Sequence, residues 1–97
     1  MSDDANEEVV PLVVDGILDL HTFHPRDVPG LLDAYFDECL RLAIYEVRLI
    51  HGKGTGQLRR RVRAICERDP RIATVRTGLE WEGGWGATVV TLRAPAS

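Results

Sequence analysis

One stretch near the middle of the chain constrains the fold more than any other. The alternating run "YEVRLIH" (45–51) has the pattern of a β-strand, and the basic run "QLRRRVRAIC" (57–66) has helical spacing. The segment "HGKGTG" (51–56) joins them with three glycines in six positions. A strand that passes through a glycine-rich loop into a helix is typical of α/β folds, in which ligands bind at such edges.

The flanking segments continue this alternation of strands and helices. The run "VVPLVVDGILDLH" (9–21) is predicted to be extended, with a turn or bulge at Asp15–Gly16. A helix of about 15 residues is predicted to follow, with Asp27 as its N-cap and Pro29 in its first turn. Its buried face is predicted to carry Leu31, Leu32, Tyr35, Cys39 and Leu42. The second helix is predicted to bury Leu58, Val62 and Ile65 and to end at "DP" (69–70).

Two further strands complete the pattern. "RIATVRT" (71–77) and "ATVVTL" (87–92) are predicted strands, and the turn "EWEGGWG" (80–86) lies between them. The order predicts an α/β fold: a two-layer βαβαββ sandwich with a four-stranded mixed sheet and two helices on one face. Its first two strands are expected to be parallel, joined by a right-handed crossover, and its last two antiparallel.

Length and charge limit the organisation of the chain. Its 97 residues allow one core, predicted at 11–93, between a disordered acidic leader (1–10) and a loose tail (94–97). The net charge is −3, but residues 48–63 hold six basic residues and no acidic one. Such segregation is typical of a protein with a phosphate-bearing partner, although an arginine run alone favours a solvated helix face.

Several classes of protein have no support in the sequence. No apolar run is long enough to span a membrane, and the acidic start does not resemble a secretory signal, so a cytoplasmic location is expected. Cys39 and Cys66 are expected to be reduced, partly buried thiols, and no CxxC zinc motif occurs. The glycine loop matches neither the Walker A nor the dinucleotide pattern, so no nucleotide cofactor is predicted.

Three polar side chains are predicted to meet at one edge of the sheet. Asp19 and His21 are two residues apart, so they project from the same side of the first strand. His51 ends the second strand, and parallel strands bring their carboxyl ends to a common edge. Each residue alone has a structural explanation, as a cap or a hydrogen-bonded core histidine. Their expected convergence favours a catalytic role for all three.

The glycine loop itself is a candidate phosphate site. Gly52, Gly54 and Gly56 can adopt positive φ, and the loop opens a helix whose free N–H groups favour an anion. With Lys53 and Thr55 the loop is predicted to cradle a phosphate, although a tight turn is the alternative. Neighbouring phosphates are predicted to contact Arg59, Arg60 and Arg63.

Two further features bear on the ligand. Trp85, between two glycines, is the better candidate for stacking on an unpaired base, whereas Trp81 is expected to pack against the sheet. Metal dependence is open: Asp19 and His21 are the ligands if Mg²⁺ or Mn²⁺ binds, and His24 is more simply read as a loop residue.

Three motifs in this order resemble the small MutS-related (Smr) domain family. They are "LDLH" (18–21), "HGKG" (51–54) and "GGWGATVV" (83–90), the last containing Gly83, Gly84, Gly86, Ala87 and Thr88. The resemblance covers roughly residues 12–93 and implies a fold similar to the C-terminal domain of translation initiation factor 3. The chain looks like a stand-alone short member of the family.

The resemblance implies binding of DNA or RNA, with nicking or endonuclease activity in several members. The leading hypothesis is therefore phosphodiester hydrolysis on nucleic acid by a monomer. The alternatives are a binding module without catalysis and a protein-interaction domain with an acidic partner. The family's naming points to DNA repair, while RNA turnover and ribosome rescue are open alternatives.

Overall fold

The fold has the element order that the sequence predicts. A computed structural model describes residues 13–95, and the acidic leader predicted at 1–10 lies outside them. The strands and helices are β1 (Ile17–Asp19), α1 (Val28–Arg41), β2 (Glu46–Ile50), α2 (Gln57–Arg68), β3 (Ile72–Thr77) and β4 (Ala87–Leu92). The predicted βαβαββ architecture is confirmed.

The four strands form one mixed sheet in the order β1-β2-β4-β3. β1 and β2 are parallel, whereas β4 pairs antiparallel with both β2 and β3, as predicted. The pairing places Leu18 opposite Leu49 and Asp19 opposite Ile50. The carboxyl ends of β1 and β2 therefore share one edge, from which the glycine loop continues into α2.

β1 is shorter than the extended run predicted from the sequence. A bend at Asp15–Gly16 precedes it, and Gly16 has φ +93°. A Cβ on Gly16 would lie only 3.0 Å from the carbonyl oxygen of Glu46, and this close contact together with the positive φ favours glycine here. The predicted turn at this dipeptide is confirmed, and the strand begins directly after it, at Ile17.

The hydrophobic core lies between the sheet and the two helices. Its buried members from the helices include Leu32, Tyr35, Phe36, Cys39, Val62 and Cys66, and those from the strands include Leu18, Val47, Leu49, Ile72, Val90 and Leu92. Leu58 and Ile65 pack against this core while partly exposed. The prediction that Leu42 is buried is wrong: α1 has ended there, and Leu42 is 43% exposed.

The N-terminus of α1 lies where the sequence predicts it, but its capping hydrogen bond differs from the expected one. Asp27 occupies the N-cap position of α1 and Pro29 lies in its first turn, but the Asp27 side chain makes no cap hydrogen bond. Instead, Nδ1 of His24 accepts a hydrogen bond from the Arg26 amide at 3.1 Å, which closes the 3-10 turn Pro25–Asp27. This bond gives His24 a structural role in its loop.

Both cysteines are buried free thiols, as expected. Burial raises the pKa of the Cys39 thiol to about 11 and that of the Cys66 thiol to about 12. Both remain protonated at neutral pH and act as small apolar core residues. Within residues 13–95, neither helix is long and apolar enough to cross a membrane.

Candidate functional site

The glycine loop has the backbone conformation that the sequence predicts. Gly52, Gly54 and Gly56 have φ of +80°, +33° and +86°, which L-residues with side chains adopt only at a cost. Gly56 is the N-cap residue of α2, and the hydroxyl of Thr55 accepts a 3.4 Å hydrogen bond from the Gln57 amide. The first turn of α2 thus opens directly from the loop, with its positive dipole end there.

The C-terminal glycine motif holds this loop in place. The carbonyl oxygen of Gly86 accepts hydrogen bonds from the amides of His51 (3.0 Å) and Gly52 (2.9 Å). A Cβ on Gly86 would lie 3.4 Å from Cγ of Lys53, so the two segments are in van der Waals contact. The second and third sequence motifs therefore form one unit at the edge of the sheet.

His51 is buried beneath the loop. Its Nδ1 lies 2.9 Å from the carbonyl oxygen of Gly52, and its Nε2 lies 2.9 Å from the hydroxyl of Thr88. Only 6% of the residue is exposed. Burial lowers the pKa of His51, the bond to Gly52 opposes this, and the nearby charge of Arg59 lowers the pKa further. The ring is therefore neutral at physiological pH.

A groove of about 290 Å³ lies along the loop and the first turns of α2. Its cationic residues are Lys53, Arg59 and Arg61, and no carboxylate lines it. The other lining residues are Pro25, His51, Gly52, Gly54, Thr55, Gly56, Gln57 and Leu58. Positive charge, glycine backbone and a helix N-terminus thus converge on one concave surface, which suits an anion.

The predicted arginines occupy three different settings. Arg59 lines the groove and donates a 3.3 Å hydrogen bond from Nη2 to the Thr77 hydroxyl. The Arg60 guanidinium lies close to Gly56 at the start of α2. Arg63, one turn beyond Arg59, donates from Nε to Glu67 at 3.3 Å. Sequence reasoning did not select Arg61, which lines the groove.

The two tryptophans differ from each other in a way the sequence did not reveal. Trp85 is 55% exposed and carries the guanidinium of Arg59 over its ring, 3.7 Å from the centroid. Trp81 is 73% exposed and therefore not buried, but it shares a cavity with strand residues of the sheet, the position expected for it. Trp81 lies beside Arg48 and Ile17 in a separate shallow cavity. Trp85 alone therefore adjoins the basic groove through Arg59.

Asp19 and His21 form an exposed pair at the end of β1. Oδ1 of Asp19 lies 2.5 Å from Nδ1 of His21 and also accepts a hydrogen bond from the His21 amide at 3.1 Å. Partial desolvation raises the pKa of Asp19, but the hydrogen bonds and charge of His21 outweigh it, and the net direction is downward. An ionised Asp19 holds the proton of His21 on Nδ1, so Nε2 presents its lone pair to solvent.

The pair and His51 share the sheet edge but face different sides. Leu18 and Leu20 are buried, whereas Asp19 and His21 are exposed, as strand alternation requires. His51 points to the buried side, where Thr88 lies. The structure therefore brings Asp19 and His21 into contact, and it places His51 in a separate hydrogen-bonded cluster under the loop.

The donor groups do not form a complete cation site. Within the described part of the chain, no group of three or more His, Cys, Asp or Glu side chains comes together. Asp19 and His21 supply two donors, whereas Mg²⁺ requires near-octahedral oxygen coordination. Asp19 is the one carboxylate of this pair, so a Mg²⁺ ion held there would take most of its ligands from water or substrate.

Comparisons with known proteins agree with the motifs. The Smr domain family model matches residues 18–93. The chain is 44% identical over 76 residues to endonuclease MutS2 of Halalkalibacterium halodurans and 38% identical over 77 residues to that of Halothermothrix orenii, covering 78% and 79% of its own length. It spans about a tenth of the length of these curated relatives, 10% in both cases.

Two solved structures share the fold. The Smr domain of Thermus thermophilus MutS2 superposes with a TM-score of 0.76 at 35% identity, covering 81% of this chain and 99% of that domain. YdaL, a stand-alone small MutS-related protein from Escherichia coli, superposes with a TM-score of 0.74 at 24% identity. The match covers 80% of this chain and 64% of YdaL. The similarity to YdaL concerns the fold alone.

Proposed function

Because this chain belongs to the Smr domain family, we propose that it binds nucleic acid and cleaves its phosphodiester bonds. The observation that carries the catalytic part is the Asp19–His21 pair, in which a carboxylate orients an imidazole and leaves Nε2 open to solvent. Many of its relatives are named as endonucleases, and the fold is shared with the Smr domain of Thermus thermophilus MutS2.

In this proposal the glycine loop and its cations hold the phosphate. Lys53 and the first turn of α2 line the groove, where the cation and the helix N-terminus stabilise the negative charge that develops on the phosphate oxygens. Arg59 and Arg60 contact neighbouring phosphates, and Trp85 stacks on an unpaired base. Thr55 and Gly56 shape the turn into the helix.

His21 then acts as the general base. Nε2 of His21 takes the proton of the attacking hydroxyl, from water or from a ribose 2′-hydroxyl, as the new P–O bond forms. The bond to the leaving oxygen breaks, and that oxygen takes a proton from solvent. Asp19 keeps the His21 ring in the Nδ1–H tautomer and stabilises the imidazolium that forms.

A cleavage assay tests this function directly. End-labelled single-stranded RNA, single-stranded DNA and branched DNA are incubated with the protein in Mg²⁺, Mn²⁺ or EDTA. We expect His21→Gln and Asp19→Asn to lower the cleavage rate by about 10²–10⁴-fold, the usual contribution of general base catalysis, without weakening binding. Matched controls are His24→Gln and Asp27→Asn, which alter an exposed histidine and an exposed carboxylate outside the pair.

The same assay separates the second candidate, a binding module without catalysis. This alternative is favoured by the position of the Asp19–His21 pair, because neither residue lines the basic groove. If the protein binds the substrates in a salt-sensitive way but cleaves none of them, the proposed hydrolysis is refuted and the binding module is supported. Cleavage that His21→Gln leaves unchanged would assign the reaction to a different group.

A further inference from the structure

The hydrogen atoms on the His51 ring can be assigned from its partners. The Gly52 carbonyl oxygen can only accept, so Nδ1 of His51 carries the hydrogen of that 2.9 Å bond. In the neutral ring Nε2 then holds a lone pair, which accepts the hydrogen of the Thr88 hydroxyl at 2.9 Å. Both nitrogens are therefore used within the protein, and the residue is 6% exposed.

These bonds connect two segments of the chain, residues 51–52 and residues 86–88, at one point. The His51 side chain joins β4, through Thr88, to the carbonyl of Gly52 in the loop. The backbone amides of His51 and Gly52 join the same loop to the Gly86 carbonyl, which precedes β4. Gly52 is thereby held from both its N–H and its C=O, while its φ of +80° sets the direction in which Lys53 leaves.

From this geometry we infer that His51 is a positioning residue rather than a proton carrier, and that it latches the glycine loop to β4. His51, Thr88 and the Gly86 carbonyl together form this loop latch. The inference rests on the proposed function, because it states how the phosphate-holding loop of that site is kept in shape. It leaves His21 as the histidine that moves a proton.

Two features of the surroundings support this assignment. A general base needs a lone pair within reach of the substrate, and the Nε2 lone pair of His51 instead points to Thr88, which is fully buried. The charged group that faces the ring is Arg59, which disfavours a second positive charge there. The loop latch thus keeps His51 neutral, buried and occupied.

Amide substitutions distinguish a latch from a proton carrier. Asn places its NH₂ near the position of Nδ1 and retains the bond to Gly52, whereas Gln reaches toward Thr88, and neither amide titrates near neutral pH. We expect His51→Asn and His51→Gln to keep cleavage within about tenfold of the wild type, and His51→Ala to lose more activity and bind the oligonucleotide more weakly. Losses of about 10²–10⁴-fold in all three variants with unchanged binding would overturn the inference.

Thr88 supplies the matched test from the other side of the latch. Thr88→Val removes the hydroxyl with little change in volume, and Thr88→Ser restores it. We expect Thr88→Val to reduce cleavage and binding together, Thr88→Ser to recover both, and the pH–rate profile to keep the same ionising limb in each. Wild-type activity in Thr88→Val would contradict the latch.

Amide hydrogen exchange tests the loop latch without measuring catalysis. The amides of His51 and Gly52 donate to Gly86, and a loosened loop exposes them to solvent. We expect faster exchange at both amides in Thr88→Val and His51→Ala than in the wild type, with unchanged exchange in the α1 core. A chain that cleaves nothing but shows this pattern would refute the proposed hydrolysis and retain the latch; unchanged exchange at the two amides would refute the latch.

Discussion

Arg59 holds its guanidinium over the indole ring of Trp85, with 3.7 Å between the guanidinium carbon and the ring centroid. The same arginine lines the basic groove and donates to Thr77 on the edge strand β3. This contact fixes an exposed aromatic ring beside a cation, a combination that single-stranded nucleic acids bind through a base and an adjacent phosphate.

Trp85→Ala is expected to weaken binding of a single-stranded oligonucleotide by about five- to 150-fold, because stacking on an aromatic ring contributes about 1–3 kcal/mol per base. Trp85→Phe is expected to retain part of the affinity. Fluorescence anisotropy with a labelled oligonucleotide measures both. The matched control is Trp81→Ala, since Trp81 is more exposed but lies in the other cavity. Equal losses of affinity in Trp85→Ala and Trp81→Ala would contradict the proposal that the ring beside Arg59 is the one that binds the base.

The salt dependence of binding is expected to report individual cations. Lys53→Ala and Arg60→Ala should each reduce the slope of log K against log salt by about 0.7, the value for one phosphate contact on a single strand. Arg41→Ala changes the net charge equally, but Arg41 pairs with Glu38 on α1. For Arg41→Ala, the slope of log K against log salt should equal that of the wild type. The titration covers about 50 to 200 mM salt. A uniform effect of all three substitutions would indicate attraction by net charge alone.

The fold was predictable because its apolar residues follow simple periods. Alternation identifies β2, and spacing of three and four identifies both helices, since packing against one face requires those repeats. Positive φ at Gly52 could also be predicted, because few other residues tolerate it where a strand turns into a helix. The prediction that Leu42 is buried was wrong because the helix ends at that residue. The spacing of apolar residues does not show which helical turn is the last buried one.

The candidate site was only partly predictable for a related reason. The sequence places Asp19, His21 and His51 at one edge, but alternation separates them: His51 is in phase with the buried Leu49, whereas Asp19 and His21 point to the opposite side. The role of Thr88 depends on β4 lying beside β2, a long-range pairing that no local pattern shows. Exposure of Trp81 likewise follows from the two 3-10 turns at Glu80–Glu82 and Gly84–Gly86, where a simple turn was expected.

The buried Glu82 carboxylate is expected to make stability depend on pH. It accepts bonds from Arg76 at 2.7 and 3.0 Å and from the Leu79 amide at 2.8 Å, which lower its pKa to about 2. A pKa lower in the folded state than in the unfolded state stabilises the fold above the unfolded value of about 4.5. This contribution is lost as the pH falls from about 4.5 toward about 2.

Thermal unfolding across that pH range measures the effect. Glu82→Gln is expected to lower the melting temperature at pH 7 and to flatten the acid limb, because the amide cannot ionise. The control is Glu80→Gln, on the same 3-10 turn but exposed. An acid limb of unchanged steepness in Glu82→Gln would assign the pH dependence to other carboxylates.

Two glycine-to-alanine substitutions are expected to change stability in opposite directions. Gly52 has φ +80°, and a Cβ there would meet no atom within 4 Å, so the cost of Gly52→Ala comes from the backbone alone and is about 1–2 kcal/mol. Gly30 lies within α1 with an equally open Cβ position and no positive φ. Gly30→Ala should stabilise the fold by about 0.5–1 kcal/mol, because alanine loses less backbone entropy in a helix. Urea unfolding measures the free energy of unfolding of both variants. If Gly30→Ala destabilises the protein, or Gly52→Ala does not, backbone conformation does not explain the two effects.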